Sequence, residues 1–227
     1  MNRDTYVIMP VYNEAPVIGS VIEELSQAFE NIICINDGST DTSAVEIRKT
    51  PSVLVNHPIN LGQGAALKTG IEYALQDVNA AYFVTFDSDG QHKVDDALKM
   101  LEIAREGEFD VVLGSRFLGK AENINPVRSA FLRIAVLFSN IETGIRLTDA
   151  HNGLRVFNRK FAEQLDITMP GMAHATEVIH SLAKSGLRYV EMPVTVLYTE
   201  YSRSKSQSLI NSVNIGFDLL MKRMARK

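Results

Sequence analysis

Short apolar runs alternate with helical patterns through the first half of this 227-residue chain, and the alternation restricts the folds open to it. Each run has strand length and ends in a polar or glycine-rich loop; the runs are Thr5–Met9, Ile32–Ile35, Val53–Asn56, Tyr82–Phe86 and Asp110–Gly114. Strands that alternate with helices are typical of βαβ units, which build a parallel sheet. We therefore predict an α/β fold with a mostly parallel central sheet flanked by helices, whose strand-end loops gather at one edge.

The composition excludes several classes of protein. A formal charge of −4 argues against a nucleic-acid partner, and Cys34, the only cysteine, is expected in the core of a protein from a reducing compartment. We expect no signal peptide, because the first strand pattern begins at Tyr6, and no membrane span, because the apolar stretch Ala130–Ile141 is short and carries Arg133. The prediction is a cytoplasmic domain over 1–205, with 206–227 as an amphipathic helix of the same unit.

Acids follow directly after the fourth apolar run. Asp87 and Asp89 lie two residues apart, so in an extended chain their carboxylates project to the same side, with the Gln91 amide oxygen as a third ligand. Ligands that are all oxygen select Mg²⁺ or Mn²⁺. The alternative is an Asp-Ser-Asp-Gly turn without a ligand.

Other polar loops fall beside these acids if the strands are parallel: Pro10–Glu14, Asn36–Asp41, Asn60–Gly64 and Ser115-Arg116. Here Asp37 is placed to accept from a nucleobase N–H and Glu14 from a ribose hydroxyl, whereas a helix-cap or turn carboxylate is the alternative for Asp37. Gly62-Gln63-Gly64 begins a dinucleotide fingerprint, but Leu67 stands at its third glycine position, which argues against a nicotinamide cofactor.

The second half is less regular. We predict helices over Pro126–Ile141 and near Glu177–Ser185, a strand pair or a bend around Pro193 within Tyr189–Leu197, and an amphipathic helix over Leu209–Met224. The first and last of these helices would lie on a membrane surface, cover the sheet or form a dimer contact. Basic residues of this region would bind an acceptor phosphate or extend from an apolar face to solvent; they are Arg116, Arg128 and Arg133.

Taken together, the loops resemble those of the nucleotide-sugar glycosyltransferases of family 2, which have the GT-A fold. The likeness is carried by Pro10–Glu14, Asn36–Asp41, Asn60–Ala65, Asp87-Ser88-Asp89 and Gly114-Ser115-Arg116, and it spans about residues 5–205. Within the family, the chain resembles dolichol-phosphate mannose synthases and bacterial polyprenyl-phosphate glycosyltransferases. The shared features are Asp87, Asp89 and Gln91, then Asp149 with Asn152-Gly153-Leu154-Arg155, and Ser204-Lys205.

The resemblance implies inverting, metal-dependent transfer of a hexose from a UDP- or GDP-sugar to a polyprenyl phosphate or another lipid-linked or glycan acceptor. The donor site would comprise Pro10, Tyr12, Glu14, Asp37, Gly64, Lys68, Asp87, Ser88, Arg203 and Lys205, although Lys68 could equally be a solvated charge. The metal ligands would be Asp87, Asp89 and Gln91. The enzyme would be cytoplasmic, peripheral on the inner face of the membrane.

Catalysis is assigned to Asp89 and Arg116, with Asp149 as the first candidate for a general base and Glu177 as the second. A sugar hydroxyl as acceptor requires such a base, whereas an ionised phosphate does not. The alternative for each of these two carboxylates is a structural role, as a hydrogen-bond acceptor for backbone groups. Two rival functions remain. One is a sugar nucleotidyltransferase, but Pro10–Glu14 lacks the phosphate-loop pattern expected of that class. The other is a nucleotide-sugar-binding protein without turnover.

Overall fold

The computed structural model describes residues 2–124, 126–169 and 174–202, with the backbone alone at 127, 128 and 131. Its strands are β1 (Thr5–Val11), β2 (Asn31–Asp37), β3 (Val53–His57), β4 (Tyr82–Thr85), β5 (Val111–Glu122), β6 (Arg155–Asn158) and β7 (Tyr189–Leu197). Its helices are α1 (Ile18–Ser26), α2 (Ser43–Arg48), α3 (Gln63–Leu75), α4 (Val94–Arg105), α5 (Pro126–Thr143), α6 (Arg159–Ala162) and α7 (His174–Ser185). The predicted C-terminal helix, Leu209–Met224, lies outside the described residues.

The strands form one seven-stranded sheet in the order β3-β2-β1-β4-β6-β5-β7. Strand β6 runs antiparallel to β4 and β5, and the other pairings are parallel. The predicted α/β class and mostly parallel sheet are therefore confirmed. Because the carboxyl ends of the parallel strands share one edge, the loops after β1, β2, β3 and β4 meet there, and β6 starts from the same edge.

Strand β1 shows why these short runs become central strands. Val7 and Met9 pack into the core on one face of the sheet, and Ile8 between them packs into the core on the other face. Successive side chains of a strand point to opposite faces, so a strand covered by helices on both sides must be apolar at nearly every position.

The edge of the sheet differs from the prediction in two places. Strand β5 continues to Glu122 instead of ending at Gly114, because it pairs with β7 on both sides of an irregularity between Ser115 and Lys120. Tyr189–Leu197 is one strand rather than a pair, and Pro193 stands opposite Ser115. Proline is tolerated there because β7 is an edge strand beside a bulge.

In the part of the chain that the structure describes, every helix is too short or too polar to cross a membrane.

Candidate active site

The loops after β1 and β2 are joined into one wall by Asn13. Its backbone has a φ of 54°, and its Oδ1 accepts from the backbone N–H of Thr40 at 2.8 Å. Its own N–H donates to Ser39 Oγ at 3.0 Å, and the N–H of Glu14 donates to Ser43 Oγ at 2.8 Å. Asparagine tolerates this left-handed conformation better than most residues. The two loops predicted to bind a nucleoside are thus held in a fixed relation to each other.

Asp37 fixes the neighbouring loop. Its side chain is 2% exposed, and its oxygens accept from the backbone N–H groups of Leu61 at 2.9 Å and Gly62 at 2.7 Å. His57 Nδ1 lies 2.7 Å from Oδ1, and His57 Nε2 lies 2.9 Å from the hydroxyl of Thr69. Asp37 therefore has the contacts of a turn carboxylate, and binding of a nucleobase by Asp37 stays a prediction.

Glu14 faces a tyrosine from the end of the described chain. The Tyr201 hydroxyl lies 2.8 Å from Glu14 Oε2 and 3.2 Å from the carbonyl oxygen of Asn13. Burial and the Glu14 carboxylate raise the pKa of Tyr201, so the phenol stays protonated. Tyr12, on the same loop, is 41% exposed. The hydroxyl of Tyr201 thus occupies the acceptor that we assigned to a ribose hydroxyl.

Asp87 and Asp89 lie together after β4, as the spacing predicted. The Oδ1 of Asp87 accepts from Gln63 Nε2 at 3.2 Å, and its Oδ2 lies 3.0 Å from Nε2 of His92. Burial opposes ionisation of Asp87, but the hydrogen bond and charge of His92, with the charge of Arg155, lower its pKa below the ordinary value. Burial and the charge of Asp87 raise the pKa of Asp89 to about 6.

Because burial and the charge of Asp87 raise the proton affinity of Asp89, the two neighbouring carboxylates form a site suited to a cation. The backbone N–H of Gln91 donates to Asp89 Oδ1 at 3.1 Å and its Nε2 donates to Oδ2, which leaves the Gln91 amide oxygen as a further acceptor. No group of three His, Cys, Asp or Glu side chains converges on a metal position among the described residues. Mg²⁺ and Mn²⁺ commonly use one or two carboxylates and take the remaining oxygens from substrate phosphates and water. The residues present fit such an ion.

Ser88, between the two acids, turns away from them. Its hydroxyl donates to the carbonyl oxygen of Pro10 at 2.7 Å, and its side chain is buried. This bond joins the end of β4 to the loop after β1. The structure therefore places Ser88 and Pro10 in the frame that holds the acids, while their contact with a donor stays a prediction.

Gly153 packs directly on Asp87. A Cβ built on Gly153 would lie 2.5 Å from Cγ of Asp87, closer than real contacts allow. The Thr85 hydroxyl donates to the Gly153 carbonyl oxygen at 2.6 Å. Only glycine lets this loop approach the carboxylate so closely. The segment that leads into β6 is thus a wall of the acidic site.

Asp149 and Arg116 form a buried ion pair. The distance from Arg116 Nε to Asp149 Oδ2 is 2.6 Å, and the backbone N–H of Arg116 donates to the same oxygen at 3.1 Å. Arg116 also donates to the Tyr198 hydroxyl at 2.9 Å. The Glu177 carboxylate accepts from the backbone N–H of Met169 at 2.8 Å and from Thr168. These contacts favour the structural alternative for both predicted bases.

The remaining predicted residues lie farther out. Lys68 forms an exposed ion pair with Asp166 at 3.0 Å. This contact favours the interpretation of Lys68 as a solvated surface charge over a role in donor binding. Gly64 serves close packing, since a Cβ there would lie 2.9 Å from Cβ of His174. Arg133 stacks on the Phe117 ring, 4.4 Å from its centroid. Arg203, Lys205 and the side chain of Arg128 lie outside the described residues.

Sequence reasoning gave no role to His57, Gln63 or Tyr201, which contact predicted site residues, or to Asn13, which joins the loops after β1 and β2. A signal existed for His57, because it ends β3 as Asp37 ends β2, and the two are register partners. No comparable signal exists for Tyr201, which lies 187 positions from its partner Glu14.

Residues 6–166 match the sequence model of the family described as Glycosyl transferase family 2, which covers most of the chain. The chain belongs to that family. It is a glycosyltransferase, as the ordered loops predicted, and the acid pair and the Asp37 loop both lie within the matched residues.

Similar proteins of comparable length come from archaea and bacteria. The glycosyltransferase is 31% identical to an uncharacterised protein of Methanocaldococcus jannaschii over 99% of this chain and 94% of that protein. It is 28% identical to the UDP-N-acetylglucosamine–dolichyl-phosphate N-acetylglucosaminyltransferase of Methanococcus voltae over 97% of this chain and 96% of that protein. It is 28% identical to the undecaprenyl-phosphate mannosyltransferase of Micrococcus luteus over 87% of this chain and 85% of that protein.

Solved structures confirm the predicted GT-A type of fold. The glycosyltransferase superposes on glucosyl-3-phosphoglycerate synthase of Mycobacterium tuberculosis, crystallised with Mn²⁺, UDP and phosphoglyceric acid, with a TM-score of 0.67. The superposition covers 90% of this chain and 74% of that chain at 17% sequence identity.

Proposed function

We propose that this glycosyltransferase moves a sugar from a UDP- or GDP-sugar to a polyprenyl phosphate, with inversion at the anomeric carbon and with Mg²⁺ or Mn²⁺. The observation that carries the proposal is the acid pair Asp87 and Asp89 at the end of β4, where the charge of Asp87 raises the pKa of Asp89 and β4 lies between β1 and β6. Relatives that match nearly the whole chain carry dolichyl phosphate or undecaprenyl phosphate in their names. A fold neighbour holds UDP with Mn²⁺.

The donor would lie along the loops after β2, β1 and β4. The nucleoside contacts the wall that Asn13 joins, where Tyr12, Glu14 and Asp37 are predicted to bind it. The diphosphate reaches Asp87 and Asp89, which with Gln91 would hold the divalent ion. That ion supplies positive charge to the leaving diphosphate. Arg203 and Lys205 remain the predicted cations that close over the phosphates.

The reaction would be a single displacement. An oxygen of the acceptor phosphate forms a bond to the anomeric carbon, and the bond from that carbon to the diphosphate breaks on the opposite face. The bonding electrons leave with the nucleoside diphosphate, so the configuration inverts. Positioning of the two substrates supplies much of the acceleration in such transfers.

A phosphate acceptor agrees with the contacts of the two candidate bases, because both carboxylates are already engaged by other groups. Asp149 is engaged by Arg116, and Glu177 is engaged by Thr168 and Met169. A phosphate is already ionised near neutral pH, so its oxygen attacks without a general base. The positions of these carboxylates therefore favour a phosphate over a sugar hydroxyl.

Helix α5 supports a lipid-linked acceptor and a peripheral position on the cytoplasmic face of the membrane. Its exposed face carries Ile134, Leu137, Phe138 and Ile141, which are 61–74% exposed. Their spacing places them on one side of the helix. An apolar face of this kind suits the headgroup boundary of a bilayer, and a contact with a second copy of the chain is the alternative.

The first test is thermal stabilisation by UDP and by GDP, each with and without Mn²⁺ or Mg²⁺. A ligand that binds only the folded chain raises its melting temperature. We expect metal-dependent stabilisation by one nucleotide, which names the donor base. The second test is sugar transfer from the matching nucleotide sugars, beginning with UDP-N-acetylglucosamine, to a soluble short-chain prenyl phosphate.

The tests separate the proposal from its rivals. Nucleotide stabilisation without transfer to any acceptor would favour the non-catalytic nucleotide-sugar-binding protein. Release of pyrophosphate from a nucleoside triphosphate with a sugar phosphate would favour a nucleotidyltransferase. Full turnover by an Asp89→Ala variant would contradict the metal site.

A further inference from the structure

Two buried arginines lie beyond the acid pair, and they differ in how their charges are compensated. Arg116 is paired with Asp149 at 2.6 Å and donates to Tyr198. Arg155, the first residue of β6, is 3% exposed, yet its guanidinium has no hydrogen bond and no ion pair with any described residue. Among the described residues, the opposite charges that act on it are Asp87 and Asp149, and neither forms such a contact.

An isolated buried cation is costly. Taking a guanidinium out of water without a hydrogen-bonded anion sacrifices its hydration, and most buried charges in proteins are therefore paired. Burial lowers the pKa of Arg155 to about 10, even though Asp87 and Asp149 raise it. Binding of an anion would compensate this charge.

A second buried donor lies on the loop that leads into β6. The side chain of Asn152 is 2% exposed, and its Nδ2 has no hydrogen-bond partner among the described residues. Its Oδ1 accepts from the backbone N–H of Leu154 at 2.9 Å, which fixes the orientation of the amide. Nδ1 of the neighbouring His151 is also buried without a partner there. The loop that leads into Arg155 thus carries two buried polar atoms without a hydrogen-bond partner among the described residues, one of which, Asn152 Nδ2, is a donor.

The sheet order places these donors on the acceptor side. Along the edge, the loops after β2 and β1 come first, the acid pair after β4 follows, and Arg155 at the start of β6 is next. A donor with its nucleoside on the first loops and its diphosphate at the acid pair directs its sugar toward β6. The group that attacks this sugar must come from the β6 and β5 side.

We propose that Arg155, together with Nδ2 of Asn152, binds the phosphate of the acceptor. This inference rests on the proposed function, since it assigns the acceptor subsite of the same reaction. A phosphate monoester carries about two negative charges near neutral pH and accepts a bidentate pair of hydrogen bonds from a guanidinium. Arg155 supplies that charge, because Arg116 is already neutralised by Asp149. Helix α5, which follows β5 in the chain, would offer its exposed apolar face to the prenyl chain.

The variants are Arg155→Met and Arg155→Lys, compared with Arg159→Met as a matched control. Arg159 is a structural arginine, whose guanidinium donates to the carbonyl oxygens of Leu75, Asp77 and Ala80. The probes are a soluble short-chain prenyl phosphate, inorganic phosphate, and UDP or GDP with Mn²⁺. Binding is measured by calorimetry, and the melting temperature is measured without ligand.

We expect Arg155→Met to weaken prenyl phosphate binding about 10- to 100-fold, since hydrogen bonds to charged groups carry that much. Nucleotide binding with Mn²⁺ should change less than about twofold, and Arg155→Lys should recover part of the loss. Without ligand, Arg155→Met should melt no lower than the parent, because it removes an unpaired buried charge. Arg159→Met should melt lower and bind prenyl phosphate normally.

Other results would overturn the inference. A lower melting temperature with unchanged prenyl phosphate binding would make Arg155 a structural partner of Asp87 and Asp149. Weakened nucleotide binding with normal prenyl phosphate binding would assign Arg155 to the donor. Arg155-dependent binding of prenyl phosphate in a protein that transfers no sugar would support the inference and contradict the proposed function, so the two fail separately.

Discussion

Nδ1 of His57 lies 2.7 Å from Oδ1 of Asp37, and this pair joins the ends of strands β2 and β3 beneath the loop that opens helix α3. The carboxylate also holds two backbone N–H groups of that loop, those of Leu61 and Gly62. Asp37 therefore shapes the pocket through the loop. The positions of Asp37 and His57 at neighbouring strand ends were predictable, whereas the hydrogen bonds of Asp37 to Leu61 and Gly62 were not.

Asp37→Asn should lower the free energy of unfolding by about 2–4 kcal/mol and reduce nucleotide binding as well. The amide replaces one acceptor oxygen by a donor, which then faces a buried N–H. Chemical denaturation and nucleotide titration measure the two effects. The control is Asp95→Asn at an exposed acid in the first turn of α4, which should change stability by less than about 0.5 kcal/mol. Unchanged stability of Asp37→Asn would refute this role.

Asp89→Asn should make the protein more stable and less able to bind a metal. The pKa of Asp89 is raised from 3.8 to about 6, so the folded chain disfavours its ionised form. The group consequently lowers stability as the pH rises from about 4 through 6, and at pH 7.5 its replacement should add about 1–3 kcal/mol. Differential scanning calorimetry with and without Mn²⁺ measures both effects.

The same pKa sets the pH dependence of the metal effect in the parent protein. Below about pH 6 a proton occupies Asp89 and competes with the cation, so stabilisation by nucleotide with Mn²⁺ should weaken as the pH falls through this value. Asp89→Asn should show no such transition. A metal effect that is constant from pH 5 to 8 would argue against Asp89 as a ligand.

Gly153→Ala should displace Asp87 and weaken Mn²⁺-dependent nucleotide binding about tenfold or more. The added methyl group would lie 2.5 Å from Cγ of Asp87, so the loop or the carboxylate has to move. Gly19→Ala is the matched control, because a Cβ there meets nothing within 4 Å and lies in helix α1. Helix propensity predicts that this control is slightly stabilised. Normal metal-dependent binding by Gly153→Ala would contradict the tight contact.

Tyr201→Phe should strengthen binding of the nucleoside diphosphate about three- to tenfold. The Tyr201 hydroxyl contacts Glu14 Oε2 at 2.8 Å, the acceptor that we assign to a ribose hydroxyl, and its removal ends that competition. Calorimetry with the ribonucleotide and its 2′- and 3′-deoxy analogues measures the effect. The gain should disappear for the analogue that lacks the hydroxyl bound by Glu14. Weaker binding by Tyr201→Phe would instead make this phenol part of the nucleotide site.

Phe138→Glu on α5 should reduce sedimentation with anionic lipid vesicles while leaving transfer to a soluble short-chain acceptor intact. Phe138 is 71% exposed within the apolar face of this helix, and a carboxylate there opposes insertion among anionic headgroups. Val78→Glu is the matched control, since Val78 is 83% exposed but isolated before β4. If the parent forms a dimer that Phe138→Glu dissociates, and never binds vesicles, the face is a protein contact.

The parts of this structure that are local in sequence were predictable. Apolar runs ending in polar loops determine β1 to β4, and the two-residue spacing of Asp87 and Asp89 places them together. The reversed direction of β6 was not predictable, because a four-residue strand carries no sign of its orientation. Nor was the contact of Gly153 with Asp87, which depends on that reversed pairing.

The antiparallel insertion of β6 has an evolutionary consequence. Most residues predicted to bind the nucleotide precede position 92, apart from Arg203 and Lys205, whereas the predicted acceptor side is built by the chain between β5 and β7. Insertions and exchanges in that later region leave the register of β1, β2 and β3 untouched. A lineage that retains one donor can therefore acquire new acceptors by changing a contiguous part of its gene.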